Sequence, residues 1–306
     1  MSSALLQSLR GAAPMTHRQA VLTMLATTLL WSIAGVVTLQ LEGARSFEVT
    51  FWRSLFNAAA LLVLLPWLRG GANLRRSIAA GGRTLWISGI CWSVMFTAFM
   101  VAMTLTTVAN VLVTMAIAPL LTALIARLVL GNRLPARTWT TVFVAGLGIA
   151  WMYGHEVGAA DSRHLAGSIV ALGVPIAAAI NWTVIQASRT RADHDLLPAV
   201  LIGALLSALL TLPFSLPFSG SMHDVAWLAL LGVAQLAIPC LMSVAAARSL
   251  SAPEASLLAL LEIVFGVAWA WLGAREAPAS HVLVGGVVVV GALAVNEALA
   301  LRRRIA

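Results

Sequence analysis

One carboxylate lies inside a long apolar stretch of the sequence. The segment ASLLALLEIVFGVAWAW, residues 255–271, is apolar almost throughout, yet Glu262 stands near its middle. An acidic side chain at the centre of a membrane helix costs roughly 2.5–3.5 kcal/mol to insert, so such acids face the bundle interior or a water-filled path. Glu262 is therefore predicted to bind a substrate ammonium group or to carry a proton. The alternative is a permanently neutral acid that bonds to a neighbouring helix.

Aromatic residues also lie deep within several apolar segments. Tryptophan is enriched at the ends of membrane helices, whereas three tryptophans of this chain lie well inside theirs. Aromatic walls suit substrates with apolar or aromatic side chains, and an indole face also attracts cations. We predict that the following aromatic and hydroxyl residues contact substrate: Trp31, Ser32, Trp92, Phe96, Phe99 and Trp182. Packing within the core is the alternative.

Uncharged hydrogen-bonding side chains occur in or near other apolar segments, at Asn110, Gln235 and Ser256. Together they could hold both ends of a zwitterion without a fixed ion pair, and we predict them as substrate-binding residues. Hydrogen bonds between helices are the alternative. Arg53 is expected to extend towards the membrane surface or to pair with an acid such as Glu48. Binding of a substrate carboxylate by Arg53 is the less favoured alternative.

The composition places most of the chain outside water. Of its 306 residues, 60% are hydrophobic and only 10% are charged, whereas soluble domains have about 25% charged residues. All 19 basic residues are arginine, and the net charge is +8. No basic block or zinc-ligand spacing accompanies this charge, which argues against a nucleic-acid partner. The composition therefore indicates a polytopic membrane protein.

Catalytic and metal chemistry are not expected. Cys91 and Cys240 lie inside apolar runs, so the sequence predicts neither a disulfide nor a metal site. The sequence contains no HExxH motif, no paired intramembrane aspartates and no Ser-Lys or Ser-His arrangement. We therefore expect no catalytic residue, no metal and no cofactor.

Ten segments are long and apolar enough to cross a membrane, which takes about 20 residues each. Numbered from the N-terminus, the predicted spans 1 to 10 are 19–41, 47–68, 85–105, 108–130, 136–154, 165–187, 196–217, 225–247, 253–273 and 280–301. We expect residues 1–18 to form a cytoplasmic extension and residues 302–306 a basic cytoplasmic tail. The predicted fold class is thus an all-α integral membrane protein.

The placement of arginine predicts how the spans are oriented. Fifteen arginines lie in the termini and connections on one side of the predicted spans, and three lie on the other side, at Arg45, Arg163 and Arg275. Basic connections favour the cytoplasm. Both termini are therefore expected in the cytoplasm, with the chain in the inner membrane of a bacterium.

The two halves of the chain resemble each other. VANVLVTMAIAPLLTALIARLVLGNRLP, in span 4, aligns with APEASLLALLEIVFGVAWAWLGAREAP, in span 9. This alignment places Asn110 opposite Glu254 and Pro119 opposite Ile263. The alternative is that apolar helices resemble one another by composition alone.

Each half contains five predicted spans, over residues 19–154 and 165–301. An odd number of spans makes the second copy enter the membrane from the other side, so the two repeats are expected to be inverted. Inverted repeats are the architecture of many secondary transporters, which use them for alternating access. The repeat pattern therefore predicts a transporter.

The chain resembles the drug/metabolite transporter (DMT) superfamily, and within it the EamA-type ten-helix exporters. The resemblance rests on LLWSIAGVV, FWRSLFNAAALL and ANVLVTMAIAPLLTALIARLVLGNRL in the first half, and on INWTVIQ and EASLLALLEIVFGVAWAWLGARE in the second. The Trp-Ser and Leu-Glu-Ile-Val variants look most like the YddG-type branch, whose members export aromatic and other neutral amino acids. Ile263 departs from the family pattern, which usually has proline at this position. Because that proline is missing, the sequence does not predict a kink in span 9.

The resemblance implies ten transmembrane helices in two inverted five-helix repeats around a central cavity. It also implies export of amino acids or similar small metabolites by alternating access. The expected partners are a small-molecule substrate and the lipid bilayer, and the chain is expected to be a monomer, with a dimer as the alternative. A multidrug exporter of the same superfamily is the second transporter hypothesis. A membrane-embedded enzyme or a structural membrane protein is the less favoured hypothesis from another class.

Overall fold

The computed structural model describes residues 3–11, 14–38, 40–44, 46–106, 108–131, 135–153, 162–190, 195–274 and 280–305. These ranges are predominantly helical and contain no strand. The helices are α1 (Ser3–Leu9), α2 (His17–Trp31), α3 (Ala34–Thr38), α4 (Ser46–Arg69), α5 (Gly71–Ala80), α6 (Gly82–Leu105), α7 (Val108–Met115), α8 (Ala118–Leu130), α9 (Ala136–Tyr153), α10 (Ser162–Ala187), α11 (Leu197–Ser215), α12 (Met222–Leu230), α13 (Ile238–Ala247), α14 (Ala252–Ala259), α15 (Leu261–Ala274) and α16 (Ser280–Ile305). A π-helical segment, Leu231–Ala237, joins α12 to α13.

Side-chain caps fix where two of the predicted spans begin. Thr16 precedes α2, and its Oγ1 accepts a hydrogen bond from the Gln19 N–H at 3.3 Å, while the Gln19 side chain accepts one from the Thr16 N–H at 2.9 Å. Ser221 and Asp224 form the same reciprocal pair at the start of α12. Each pair satisfies N–H groups that have no acceptor within the helix. Polar residues at the span boundaries therefore determine these helix starts.

Among the described residues, six helical segments are long and apolar enough to cross a membrane. They are His17–Thr38, Phe47–Arg69, Gly82–Met103, Leu165–Ala187, Leu197–Ser215 and Met222–Ala247, which correspond to predicted spans 1, 2, 3, 6, 7 and 8. Shorter apolar helices lie at Ala118–Leu130 and Leu283–Leu293. The fold is thus that of an all-helical, multi-pass membrane protein, and the count of ten spans remains a prediction. One reason for the difference is that spans 4 and 9 are each divided into two helices.

In the described part of the chain, two short α-helices lie outside the ten predicted spans. α1 lies in the predicted N-terminal extension, where Leu5 and Leu9 are buried in the main hydrophobic core and the helix packs on α2 and α13. α5 connects spans 2 and 3, and Leu74 is its buried residue. Both are too short to appear in a search for apolar stretches of membrane-spanning length. They cover the end of the bundle where α2 begins.

The breaks in spans 4 and 9 occur at equivalent positions of the two repeats. Regular α-helical hydrogen bonding is interrupted in span 4 at Ala116 and Ile117, and in span 9 at Leu260. Each break begins three residues before the aligned pair Pro119 and Ile263. At the second break the Ile263 N–H donates to the Leu260 carbonyl at 3.1 Å. A tightened turn therefore interrupts span 9 without a proline. The break belongs to the repeat and does not depend on proline at position 263.

The pairing of helices is preserved when the two halves are exchanged. α6 packs on α10 as α13 packs on α2, which relates spans 3 and 6 to spans 8 and 1. Likewise, α6 packs on α11 as the π-helical segment packs on α4. α4 pairs with α11, and α9 pairs with α16. The chain therefore has a two-repeat fold in which each half packs against the equivalent helices of the other.

Polar contacts join the two halves at both ends of the bundle, which we call the His17 end and the Asp224 end. At the His17 end, His17 Nε2 contacts the Glu254 carboxylate, and Arg69 Nη2 donates to Asp195 Oδ1 at 3.2 Å. At the Asp224 end, the Asp224 carboxylate accepts hydrogen bonds from the backbone N–H groups of residues 42–44. Connections that are distant in sequence are thus tied together at each end.

The broken helices approach each other at one end only. At the His17 end α8 packs on α14, the half-helix that carries Glu254. Beyond the breaks, α7 packs on α6, α9 and α10, whereas α15 packs on α2, α3 and α16. The two half-helices therefore diverge towards the Asp224 end. This divergence leaves a space between the halves that is closed at the His17 end.

Candidate functional site

A cavity of about 860 Å³, including its open part, lies where the broken helices diverge. Both halves of the chain contribute to its wall. The described lining residues are Trp31, Arg53, Trp92, Met95, Phe96, Phe99, Met115, Ala118, Val174, Pro175, Ala178, Trp182, Gln235, Leu236, Cys240, Ser256, Ala259, Leu260 and Glu262. The wall is mainly aromatic and aliphatic, with a few polar groups, which is the composition typical of small-molecule sites.

The structure brings eight of the ten predicted substrate-binding residues to this cavity. They are Trp31, Trp92, Phe96, Phe99, Trp182, Gln235, Ser256 and Glu262. The Trp92 and Trp182 rings meet edge to face with centroids 6.5 Å apart, and Trp92 and Phe96 have centroids 5.6 Å apart. These pairs form an aromatic wall between α6 and α10. Contact of these residues with a substrate stays a prediction.

Two predicted residues do not contribute a described side chain to the cavity. Ser32 is buried, and its Oγ donates to the Leu29 carbonyl at 2.8 Å, so this hydroxyl bonds within its own helix. Serine and threonine often do this in apolar helices, because the preceding turn offers a carbonyl oxygen. Asn110 belongs to α7, but its side chain lies outside the described part of the structure.

Glu262 lies just after the break in span 9, in the first turn of α15. Its side chain lines the cavity, and among the described residues no donor forms a hydrogen bond with its carboxylate. The carboxylate interacts electrostatically with the Arg53 guanidinium, although the two do not form a direct ion pair in the described structure. A carboxyl group in this position is available to a ligand or to a proton.

Arg53 occupies a position that sequence reasoning did not favour. The expected pairing with Glu48 is wrong, because Glu48 accepts hydrogen bonds from the Ser219 and Gly220 N–H groups, each at 2.9 Å, at the Asp224 end. Arg53 is 6% exposed and lines the cavity instead. Its Nη2 donates to Gln235 Oε1 at 2.9 Å. In the sequence, an interior position was indicated by the location of Arg53 some two turns inside predicted span 2.

The π-helical segment places Gln235 beside Arg53. A Cβ on Gly232 would lie 2.8 Å from the Arg53 carbonyl oxygen and 2.6 Å from Phe56 Cβ, so only glycine lets this segment lie directly on α4. The Gln235 Nε2 then donates to the Trp31 carbonyl oxygen at 3.1 Å. Because Ser32 and Ile33 interrupt the helix after Trp31, that carbonyl is outside the regular helical ladder. The Arg53 side chain is thereby held through Gln235 by span 1.

Three buried polar atoms of the cavity wall have no hydrogen-bond partner in the described structure. They are Arg53 Nε, Trp92 Nε1 and Ser256 Oγ. A buried polar group without a partner costs about 1–3 kcal/mol, so such groups are usually satisfied by water or a ligand. The described residues contain no cluster of three metal-ligating side chains. The three unpartnered atoms of the wall are available to a polar group of a ligand or to water.

Replacing His17 with alanine is expected to loosen the closed end beneath this cavity, because it removes the polar contact between His17 on α2 and Glu254 on α14. A charge-assisted hydrogen bond contributes roughly 1.5–3 kcal/mol, which corresponds to tenfold or more in the population of an opened state. We expect labelling of Cys240, which is 1% exposed, by a water-soluble maleimide to accelerate by about tenfold. The measurement uses purified protein with Cys91→Ala as background.

The matched control is His223→Ala, since His223 lies at the Asp224 end, where its Nε2 contacts Trp227 Nε1 at 3.0 Å. The control should leave the labelling rate of Cys240 unchanged. An equal acceleration in both variants would contradict a local role of His17 at the closed end.

Both repeats match one protein family over most of the chain, at residues 18–154 and 165–297. The chain belongs to the EamA-like transporter family. Members of this family are transporters and not enzymes, which agrees with an aromatic cavity between two repeats. No curated protein matches the sequence.

A crystal structure shares the fold of this EamA-like protein. The two have a TM-score of 0.73 and 17% sequence identity, and the match covers 93% of this chain and 99% of the other. At this identity the match shows the fold alone. A match that covers 93% of this chain extends over both repeats.

Proposed function

We propose that this EamA-like protein is a secondary transporter that exports neutral and aromatic amino acids, or similar small metabolites, from a bacterial cytoplasm by alternating access. The single observation that carries the proposal is the cavity between the two repeats, whose wall combines tryptophan and phenylalanine rings with one acid and one base. An apolar side chain would lie on the rings, while the charged groups of an amino acid would meet polar atoms. The resemblance to the YddG-type branch supports this substrate class.

The proposed topology has ten spans in two inverted repeats with both termini in the cytoplasm, as the placement of arginine suggests. In this orientation the His17 end faces the cytoplasm and the Asp224 end faces the periplasm. The packing of α8 on α14 then closes the cytoplasmic side, and the divergence of α7 and α15 corresponds to an outward-open state. Exchange of the roles of the two repeats would give the inward-open state.

Counterflow in liposomes tests the proposed function directly. Purified protein in liposomes preloaded with unlabelled L-phenylalanine should accumulate labelled L-phenylalanine, and protein-free liposomes should not. A mainly apolar cavity also favours a second candidate, a multidrug exporter. Uptake of a hydrophobic cationic dye without counterflow of any neutral amino acid would support that candidate and would refute amino-acid export.

Replacing Trp182 with leucine is expected to reduce transport of aromatic amino acids most. The substitution keeps an apolar side chain but removes the broad ring that faces Trp92. Loss of about 80 Å² of buried apolar contact lowers affinity by roughly 2 kcal/mol, or more than tenfold. We expect counterflow of L-phenylalanine and L-tryptophan to decrease by about tenfold, while counterflow of L-alanine changes much less.

Trp227→Leu is the control for this substitution, because Trp227 lies near the Asp224 end and outside the cavity wall. Trp227→Leu should leave counterflow of the aromatic amino acids and of L-alanine unchanged. If Trp182→Leu reduced transport of alanine and phenylalanine equally, Trp182 would contribute to packing and not to substrate selection.

A further inference from the structure

An acidic and a basic side chain line the cavity without forming a direct ion pair. Among the described lining residues, Arg53 and Glu262 are the ones that carry a formal charge. They come from different repeats, on α4 and α15, and they interact electrostatically without a direct ion pair. Uncompensated charges in a low-dielectric site are costly unless a partner is supplied. A ligand with a matching pair of charges would supply one for each.

The Arg53 side can accommodate an anionic group. Nη2 of Arg53 is held by Gln235 Oε1 at 2.9 Å, and Gln235 is held in turn by the Trp31 carbonyl at 3.1 Å. The guanidinium is thus fixed in orientation, while its Nε has no partner in the described structure. Arginine binds carboxylates through two parallel N–H groups. The Arg53 guanidinium is held on one edge and keeps an unpaired N–H donor, so it is oriented to bind a carboxylate in this way.

The Glu262 side can accommodate a cationic group. No donor among the described residues bonds to its carboxylate. Ser256 Oγ, which lines the same cavity from the other half of the broken span, also has no partner in the described structure. Carboxylate and hydroxyl oxygens together are acceptors for an ammonium group. The aromatic wall of Trp92, Phe96 and Trp182 completes a place for an apolar side chain.

We propose that the cavity recognises a zwitterion at two points, with Arg53, positioned by Gln235, binding the carboxylate and Glu262 binding the ammonium group. This inference rests on the proposed function and deepens it, because it assigns each end of the amino acid to one repeat. A molecule that has only one of the two charges leaves the other protein charge without a partner. Amines and carboxylic acids of the same size are therefore rejected.

The test compares three molecules that share a phenyl ring. L-Phenylalanine has both charges, phenethylamine lacks the carboxylate, and 3-phenylpropionate lacks the ammonium group. Binding to the purified full-length protein is followed by its tryptophan fluorescence, since three tryptophans line the cavity. The unmodified protein is expected to bind L-phenylalanine at least tenfold more tightly than either of the other two.

Two variants separate the roles of the charges. Arg53→Gln should weaken the binding of L-phenylalanine and 3-phenylpropionate by roughly tenfold or more. The affinity for phenethylamine should stay within a factor of about three. Glu262→Gln should weaken L-phenylalanine and phenethylamine and spare 3-phenylpropionate. Arg75→Gln, in the exposed part of α5, and Glu42→Gln, in an exposed connection, are the matched controls and should change none of the three affinities.

Arg53→Lys covers the case in which Arg53→Gln does not fold. Lysine keeps the positive charge but has no planar fork. The affinity for the two carboxylate-containing molecules should therefore decrease by a smaller factor, and the affinity for phenethylamine should not decrease. The proposal is overturned if the Arg53 variant weakens L-phenylalanine and phenethylamine equally, or if the unmodified protein binds all three molecules alike. Amino-acid counterflow would then still support the proposed function. Absence of both counterflow and binding of any amino acid would refute the proposed function itself.

Discussion

Substituting valine for Gly203 is expected to separate α11 from α6 and to prevent the protein from accumulating in a folded form. A Cβ at this position would lie 2.3 Å from Trp92 Cβ, 2.9 Å from the Gly89 carbonyl oxygen and 3.0 Å from the Ser93 nitrogen. Two of these atoms belong to the backbone of α6, so no side-chain rotation removes the clash. Overpacking of a tight core costs about 1–3 kcal/mol or more, and here a helix must move as a unit.

The measurement is the yield of monodisperse protein and its midpoint of thermal unfolding in detergent. We expect a midpoint at least about 10 °C lower, or no folded protein at all. Gly146→Val is the control, because a Cβ on Gly146 meets no atom within 4 Å although this glycine also lies in a helix. A Gly203 variant as stable as the Gly146 variant would show that α6 and α11 are not packed as closely as described.

Replacing Asp224 with alanine is expected to detach the connection between spans 1 and 2 from the start of α12. The Asp224 carboxylate accepts hydrogen bonds from the N–H groups of Glu42 at 2.8 Å, Gly43 at 3.0 Å and Ala44 at 3.1 Å. It also accepts one from Ser221 N–H at 3.2 Å as part of the helix cap. Charge-assisted hydrogen bonds contribute roughly 1.5–3 kcal/mol each when their loss leaves donors unpaired. Water replaces part of that loss, since Glu42 and Gly43 are exposed.

We expect the free energy of unfolding to decrease by about 3 kcal/mol for Asp224→Ala and by less for Asp224→Asn, which keeps one acceptor. Thermal unfolding in detergent measures this decrease, and limited proteolysis should show earlier cleavage within residues 40–44. Glu42→Ala is the control, because it changes an exposed side chain in the same connection without removing the backbone donor. A proteolysis pattern identical in all three variants would mean that the Asp224 carboxylate does not hold this connection.

Some residues of the cavity wall could be predicted from the sequence because their type is unusual inside a membrane helix. Glu262 stands out because an acid in an apolar helix must face a polar partner or a cavity. Trp92 and Trp182 stand out because tryptophan is unusual in the middle of a span. In both cases the residue type conflicts with lipid, so its position along the span was enough to suggest that it faces inwards.

Other residues of the cavity wall are of types that do not conflict with a position facing lipid. Cys240 and Met95 line the cavity, but small and flexible apolar residues fit lipid, core and cavity equally well. Ser32 was predicted to contact substrate, yet its hydroxyl donates to the Leu29 carbonyl of the preceding helical turn. Arg53 fits both a membrane surface and an interior site. Only the direction in which its helix faces decides between the two.

The sequence by itself determined that the chain is a two-repeat, helical membrane protein, because a helix in lipid must satisfy its own backbone and leaves a long apolar signature. The helices of spans 1 and 8 begin directly after the caps Thr16 and Ser221, a few residues before the predicted starts at residues 19 and 225. The tertiary structure decided the breaks at Ala116 and Leu260, the rotation of each helix and the contact between Arg53 and Gln235. Arg53 and Gln235 are 182 positions apart, and helical periodicity gives no information about which partner a helix face will meet.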